Sequence, residues 1–326
     1  MAKDPWFRAC VCLALLGGAC GGGAPAPTSA SRLPGDYINE ILTLMQGQAI
    51  HRARIDWTDF RARVTGAAQG AQTIPELYPA ISLALGMLED RHSYYVSTSG
   101  SFVGNPGSPR CPATPVAAPA TPPDLGYVRI RSFSSAEPNA DRQFADEIAA
   151  QIRSRDTAEL AGWIVDLRGN GGGNMWPMIA GVGPVLGEGV AGYFIPPVGA
   201  AMEWGYSDGG AFSGSSVVVR TSQTYTLIHR APRVAVLTDL AVASSGEAVA
   251  VAFRARPNTR SFGSPTCGLS TANQNFRLSD GATLFLTVSV MADRTRAPYG
   301  LSLAPDEPVS GDAEVVQSAI DWLRER

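Results

Sequence analysis

The spacing of apolar residues predicts helices in the first third of the chain. Two sets recur at steps of three and four residues, as one buried helix face does: Ile38, Ile41, Leu42 and Met45, then Leu77, Ile81, Leu85 and Leu88. Asp56 precedes Trp57 between these sets and offers the N-cap of a further helix. The pattern therefore predicts a helical N-terminal domain of about three helices over residues 34–96.

The periodicity changes twice after this domain. Residues 97–124 are rich in proline, glycine and serine, which is typical of a long surface loop, with a lid over a cleft as the alternative. Short apolar runs then alternate with helical patterns, and this alternation predicts an α/β domain with a largely parallel sheet over residues 125–326. The predicted strands lie at 126–131, 160–167, 234–237 and 282–291, and the predicted helices at 141–154, 177–186, 245–254 and 312–324.

Composition adds little beyond an ordinary globular protein. Of 326 residues, 45% are hydrophobic and 17% are charged, so the chain is long enough to bury a sizeable core. The formal net charge is −3 and no run of Lys and Arg occurs. Neither nucleic acid nor an anionic membrane surface is therefore favoured as a partner, and the oligomeric state stays open.

The first 33 residues are typical of an exported protein. Lys3 and Arg8 precede an apolar run at 9–16, and small residues then lead to Cys20, which is the layout of an export signal over residues 1–20. The apolar run is too short to span a bilayer. Residues 21–33, rich in Gly, Ala, Pro and Ser, are typical of a flexible tether. A disordered or buried N-terminus is the alternative.

Cys20 resembles the lipid-modified cysteine of bacterial lipoproteins. It follows Gly-Gly-Ala, although Gly17 stands where such signals usually carry leucine, so a plain secretory signal cut nearby is the alternative. Either signal implies a cell-envelope lipoprotein or a secreted or periplasmic protein, with membrane attachment if Cys20 is lipidated. In an oxidising compartment Cys111 and Cys267, which remain after cleavage, could pair or stay as two buried thiols.

Ser244 is a candidate nucleophile. It stands between the predicted strand 234–237 and the predicted helix 245–254, where exposed amides and the helix dipole favour a developing negative charge. The Ser245 amide would point to the same place. The ordinary interpretation is an N-cap, since Glu247 three residues on completes a capping box.

A glycine-rich turn follows the predicted strand 160–167. Gly171, Gly172 and Gly173 let the backbone approach a ligand closely and can expose N–H groups, which suits an oxyanion hole. The segment lacks the spacing of a dinucleotide site and the Lys-Ser/Thr ending of a P-loop. A tight structural turn is the alternative.

Three histidines are available as a general base. His51 and His229 have polar or strand-end surroundings that favour structural or solvated roles. His92 is predicted to close a helix at the junction between the two domains, from which it could reach a cleft. An imidazole titrates near neutrality and so suits proton transfer.

These segments together resemble the tail-specific protease, or C-terminal processing peptidase, family. The residues that carry the resemblance are four ordered blocks: Ile164 to Gly173, Ala243 to Glu247, Gly263 to Leu269, and Leu303 to Asp306. The resemblance covers roughly residues 34–320. It implies a β-α spiral core like that of ClpP and crotonase, with an N-terminal helical domain.

The resemblance also implies a mechanism. Many members use a Ser-Lys dyad, but Leu269 occupies the position of that lysine. The segment Asp90-Arg91-His92-Ser93 instead resembles the histidine motif of the tricorn branch, so His92 is the implied base of Ser244. That branch places a glutamate before its Pro-Asp signature, and here the nearest acids are Asp293 and Asp306. Only a linker, a strand and a helix fit between His92 and residue 166, so a PDZ module is not expected.

The implied reaction is hydrolysis of a peptide or protein substrate without a metal or organic cofactor. The amides of Ser245 and of Gly171 or Gly172 would hold the oxyanion. Two other functions fit the same scaffold: a binding protein for an apolar ligand or peptide, and a crotonase-like acyl-CoA enzyme. The latter would leave Ser244 and His92 without a role.

Overall fold

The computed structural model describes residues 34–113 and 115–325. The predicted export signal, the tether and Cys20 lie outside these residues. Within them the α-helices are α1 Pro34–Gln48, α2 Trp57–Ala67, α3 Tyr78–Met87, α4 Ala140–Arg155, α5 Met175–Leu186, α6 Ser245–Phe253 and α7 Asp312–Arg324. Among the helices of these two ranges, none has the length and apolar character that crossing a membrane requires.

The strands of the same ranges form two sheets. They are β1 Tyr94–Val96, β2 Phe102–Gly104, β3 Leu125–Arg129, β4 Gly162–Asp166, β5 Gly189–Ile195, β6 Met202–Ser207, β7 Gly210–Ser213, β8 Ser216–Arg220, β9 Val234–Thr238, β10 Thr259–Gly263, β11 Thr271–Arg277, β12 Thr283–Asp293 and β13 Glu307–Pro308. One sheet has the order β13-β10-β9-β4-β3, and its strand pairs are all parallel.

A smaller compact unit contains the three N-terminal helices. This unit consists of the described residues up to Pro109 together with the later segment Asn273–Ser289. Its core packs α1, α2 and α3 together, and Leu284 and Leu286 from β12 join that core. Asp56 caps α2 as predicted, because its carboxylate accepts hydrogen bonds from the amides of Thr58 and Asp59. The helical N-terminal region is thereby confirmed.

A larger unit contains the parallel sheet, in Arg110–Ala272 and Val290–Arg326. Alternate strand residues serve opposite faces. Val165 and Val236 pack with α4, α5 and α6, whereas Ile164 and Leu237 pack with α7. Both faces of the sheet are buried under helices, as a parallel sheet requires. The prediction of an α/β fold is confirmed.

The structure differs from the predicted organisation in several places, and the strands β1, β10, β11 and β13 were not predicted. Strand β2 lies in the segment 97–124 that was predicted as a loop. Residues 273–289 belong with the helical unit rather than with 125–326, because Leu284 and Leu286 bury one strand face there. Strands β5 to β8 were missed, although Asp208-Gly209, with positive φ at both residues, is a readable hairpin signal.

Candidate active site

Ser244 adopts a strained backbone between β9 and α6. Its φ is 52° and its ψ is −115°, a combination that side-chain-bearing residues rarely adopt. Ordinary N-cap residues lie in the extended region, whereas Ser244 forms its capping box with Glu247 from this unusual conformation. Its neighbours Ala243 and Ser245 are buried, whereas Ser244 is partly exposed. A strained serine held at a strand-to-helix turn is the arrangement of a nucleophile elbow.

The glycine-rich turn packs directly against this elbow. The amide of Ala243 donates to the carbonyl of Asn170 at 2.9 Å, and the hydroxyl of Ser245 donates to the carbonyl of Gly173 at 2.6 Å. A methyl group on Gly172 would lie 2.8 Å from the carbonyl oxygen of Ala243 and 2.9 Å from Cβ of Ser244. Glycine at 172 is therefore needed for the turn and the elbow to meet.

Two of the three predicted oxyanion amides already donate to side chains. The amide of Gly171 donates to Oγ of Ser132 at 2.7 Å, and that of Gly172 donates to Oδ1 of Asn170 at 3.0 Å. Ser245 is the first residue of α6, so its amide belongs to the helix terminus whose orphan N–H groups favour anions. The oxyanion role of the three amides stays a prediction.

Exchanging Gly172 for alanine is expected to lower the free energy of unfolding by about 2–3 kcal/mol, since overpacking and a φ unfavourable for alanine act together. The φ of Gly172 is 103°. Gly171→Ala is the matched control, because a methyl group there meets nothing closer than 3.7 Å. Urea unfolding of both variants measures the difference. Equal losses would mean that the close approach at Gly172 is not real.

Two carboxylates, the buried Asp166 and the half-buried Asp239, tie the turn to its surroundings. Asp166 forms a two-pronged ion pair with Arg168, with Nη2 to Oδ2 at 2.7 Å and Nε to Oδ1 at 2.9 Å. Asp239, just after β9, accepts from the amide of Gly169 with both oxygens and from the amide of Ala241. Burial raises the pKa of Asp239. The side chain of Asp239 thus links the glycine-rich turn to the segment that leads to Ser244, and no sequence motif pointed to it.

A second turn, residues 266–269, contacts α6 through Glu247. The Glu247 carboxylate is fully buried and accepts hydrogen bonds from the amides of Ser244, Gly268 and Leu269 and from the hydroxyl of Thr266. A disulfide joins Cys267 of this turn to Cys111, with the Cα atoms 5.5 Å apart, which is a usual disulfide spacing. The structure therefore resolves the cysteine alternatives in favour of pairing.

His92 lies in the smaller unit, beyond the end of α3 rather than within the helix. The prediction that it closes a helix is wrong, because α3 ends at Met87 and the left-handed residues Glu89 and Arg91 break the helical path. His92 is nine-tenths buried. That burial lowers the pKa of His92 from the usual 6.5 to about 4. The ring is therefore neutral at physiological pH, as a general base must be.

Hydrogen bonds fix the backbone of His92 on both sides. Asp90 Oδ1 accepts from the amide of His92 at 3.0 Å and from the amide of Ser93 at 2.9 Å. The side-chain amide of Asn273 donates to the carbonyl of His92 at 2.9 Å, and Oδ1 of Asn273 accepts from the hydroxyl of Thr287. The motif around His92 is visible in the sequence, whereas Asn273 is remote in sequence and meets His92 only in the fold.

The two predicted acids, Asp293 and Asp306, accept hydrogen bonds from residues of the larger unit. Asp306 pairs with Arg254 at 2.9 Å and accepts from the amide and hydroxyl of Ser261. Asp293 accepts from the amide and hydroxyl of Thr295 and from the phenol of Tyr299. Burial acts to raise the pKa of both carboxyls, but these hydrogen bonds, with Arg254 for Asp306, outweigh it and hold each pKa below its usual value. Their role beside His92 stays a prediction.

No group of three or more His, Cys, Asp or Glu side chains in residues 34–113 and 115–325 is placed to hold a metal ion.

Comparison with known proteins defines the class of this molecule. The model of peptidase family S41 matches residues 124–308, more than half of the chain, and the chain belongs to that family. The nisin-resistance protein of Lactococcus lactis subsp. lactis is 25% identical over 308 residues, which cover 89% of this chain and 87% of that protein. Membership in the family supports peptidase activity as the general function.

Solved structures share the fold. A lipoprotein from Streptococcus agalactiae superposes with a TM-score of 0.73 at 22% identity, over 91% of this chain and 98% of that one. The photosystem II D1 C-terminal processing protease superposes with a TM-score of 0.52 at 17% identity, over 88% of this chain and 97% of that one. The resemblance inferred from the four sequence blocks is confirmed.

Proposed function

We propose that this protein is a serine peptidase in which Ser244 is the nucleophile and His92 the general base. The observation that carries the proposal is the strained backbone of Ser244, partly exposed between buried neighbours at the start of α6. Strain of this kind persists only where surrounding contacts enforce it, and it concentrates at functional sites. The neutral imidazole of His92 supplies a base of the right form.

In the proposed reaction, His92 takes the proton of the Ser244 hydroxyl as its oxygen attacks the carbonyl carbon of the scissile peptide bond. The amides of Ser245 and of Gly171 or Gly172 stabilise the oxyanion, and for the glycines this requires an exchange of their present acceptors. The carbon–nitrogen bond then breaks, and the proton on His92 passes to the leaving amine. Water hydrolyses the acyl-enzyme in the second half.

The proposal extends to substrate and location. A peptide is the expected substrate class, and the description of the lactococcal relative makes nisin the first peptide to test. Export is supported by the signal-like pattern of residues 1–20. The description of the streptococcal structure as a lipoprotein agrees with lipid attachment at Cys20.

A fluorophosphonate probe tests the nucleophile, because it phosphonylates an activated serine and leaves ordinary hydroxyls unmodified. Wild-type protein is expected to be labelled at Ser244, as peptide mapping would show, and Ser244→Ala is expected to be unlabelled. Ser215→Ala, an exposed serine in the β7–β8 turn, is the control and should label like wild type. Failure of wild type to label would reject the peptidase proposal and favour a binding protein on the same scaffold.

A further inference from the structure

Glu247 has more partners than a helix cap requires. Its carboxylate has no exposed surface, and each of its two oxygens accepts two hydrogen bonds. Oε2 accepts from the amides of Ser244 at 2.9 Å and Leu269 at 2.7 Å. Oε1 accepts from the hydroxyl of Thr266 at 2.5 Å and from the amide of Gly268 at 2.9 Å. A capping box explains the bond to Ser244 alone.

The bond to Ser244 acts where the backbone is strained. The amide of Ala243 is held by Asn170, and the amide of Gly246 donates to the carbonyl of Ala243 at 2.9 Å. Ser244 itself adopts a φ of 52°, a strained conformation that persists only where surrounding contacts enforce it. Oε2 of Glu247 makes one such contact, since it fixes the direction of the Ser244 N–H.

The other end of this connection is anchored. The turn 266–269 carries Cys267, which a disulfide joins to Cys111. The amide of Cys267 also donates a hydrogen bond at 2.8 Å to the carbonyl of Val242, two residues before Ser244. Glu247 therefore spans from Ser244 to a turn that is itself fixed. A carboxylate that bridged to a loose turn could not define a backbone direction.

We propose that Glu247 is a positioning residue, which holds Ser244 in its strained conformation against the turn 266–269 and so sets the reactivity of the hydroxyl. The inference rests on the proposed function of Ser244 as nucleophile. It concerns the length of the side chain, since only an acceptor that reaches both Ser244 and the turn can serve. A purely electrostatic role at the N-terminus of α6 would depend instead on negative charge near its first turn.

Two variants separate these roles. Glu247→Gln keeps the reach and one acceptor oxygen, which can stay on Ser244 and Leu269. Its NH2 group can donate to the hydroxyl of Thr266, but the amide of Gly268 loses its acceptor. Glu247→Asp keeps the charge but is one methylene too short to span both sides. Positioning therefore predicts that the Gln variant is the more reactive of the two, whereas a purely electrostatic role at the N-terminus of α6 predicts the opposite order.

The experiment measures the rate constant of fluorophosphonate labelling per folded molecule, together with KM for a peptide. Glu247→Gln is expected within about fivefold of wild type, and Glu247→Asp about 10²-fold slower, since misplacement by about 1 Å costs this much. KM should change little in either. Asp156→Asn, which removes a carboxylate bound to Tyr225 and Ile228, is the matched control and should label normally. Labelling of the Asp variant at or above the rate of the Gln variant would overturn the inference.

Amide hydrogen exchange gives a second measure that does not need catalysis. The Ser244 and Leu269 amides are expected to exchange faster in Glu247→Asp than in wild type, and to stay protected in Glu247→Gln. If wild type fails to label, the proposed function fails, but the exchange rates still decide the inference about Glu247. Unchanged protection of Ser244 in Glu247→Asp would overturn it.

Discussion

Replacing His92 with alanine is expected to lower kcat/KM by about 10²–10⁴-fold, the usual contribution of a positioned general base. His92 is nine-tenths buried and neutral at physiological pH, and its backbone is held by Asp90 and Asn273. The loss should appear mainly in kcat, because the ring acts on the proton of Ser244 and not on substrate binding. A kinetic assay with a fluorogenic peptide measures it.

The pH dependence of the same rate checks the role of His92 independently. kcat/KM reports the ionisation of the free enzyme, so its acid limb should fall near pH 4 and the rate should stay level from about pH 5 to pH 8. An acid limb near pH 6.5 would contradict an essential base in a buried setting. Because the pKa of His92 in the folded protein lies below the usual 6.5, the unfolded state binds the proton first. His92 therefore lowers the free energy of unfolding only as the pH falls from about 6.5 towards 4.

His51→Ala is the matched control for this variant, since His51 lies in the turn after α1 and is assigned no part in the reaction. It should keep kcat/KM within about twofold of wild type, as a surface substitution usually does. If His51→Ala and His92→Ala lose activity equally, a general loss of folding rather than a missing base explains both. Wild-type activity in folded His92→Ala would exclude His92 as the base.

Replacing Arg168 with methionine is expected to lower the free energy of unfolding by about 3–5 kcal/mol, because it leaves a buried carboxylate without its cation. Arg168 is 2% exposed and Asp166 is fully buried. Asp166 would keep the phenol of Tyr127, at 3.0 Å, and the amide of Arg168, at 3.1 Å, as donors. Neither of these groups carries a charge, so they compensate only part of the loss.

Two comparisons test this interpretation of Arg168 in urea unfolding. Arg131→Met breaks an ion pair with Glu147 whose side chains are 63% and 56% exposed, and it should cost less than about 1 kcal/mol. Asp166→Leu combined with Arg168→Met removes both charges and should destabilise less than Arg168→Met alone. A double variant as unstable as the sum of the two single variants would show that the pair is not coupled.

The helical domain and the β-α alternation could be predicted from local patterns. The apolar stripes of α1 and α3 and the N-cap Asp56 are signals within a few residues of each other, so they need no knowledge of the rest of the chain. Strands β5 to β8 escaped notice because glycines interrupt the apolar pattern of β5, β6 and β7, and β8 is mostly exposed. Their pairing with neighbours, rather than their own sequence, makes them strands.

The candidate site divides in the same way. The order of four motif blocks along the sequence indicated the family. Because Leu269 replaces the lysine that serves as the base in many members, His92 became the predicted base. What the tertiary structure decided is which carboxylates support these blocks. The sequence identified Glu247 as part of a capping box. Its hydrogen bonds to Gly268 and Leu269 join segments about twenty residues apart, which meet only in the fold.

The sequence by itself determined the fold class, the helical domain, the family and the candidate residues Ser244 and His92, because each depends on residue type at short range or on ordered motifs. Only the tertiary structure decided that Ser244 is strained, that Cys111 and Cys267 pair, and that Asp239 and Glu247 hold the loops around it. These properties arise from backbone directions and burial, which are set by contacts between segments distant in the chain.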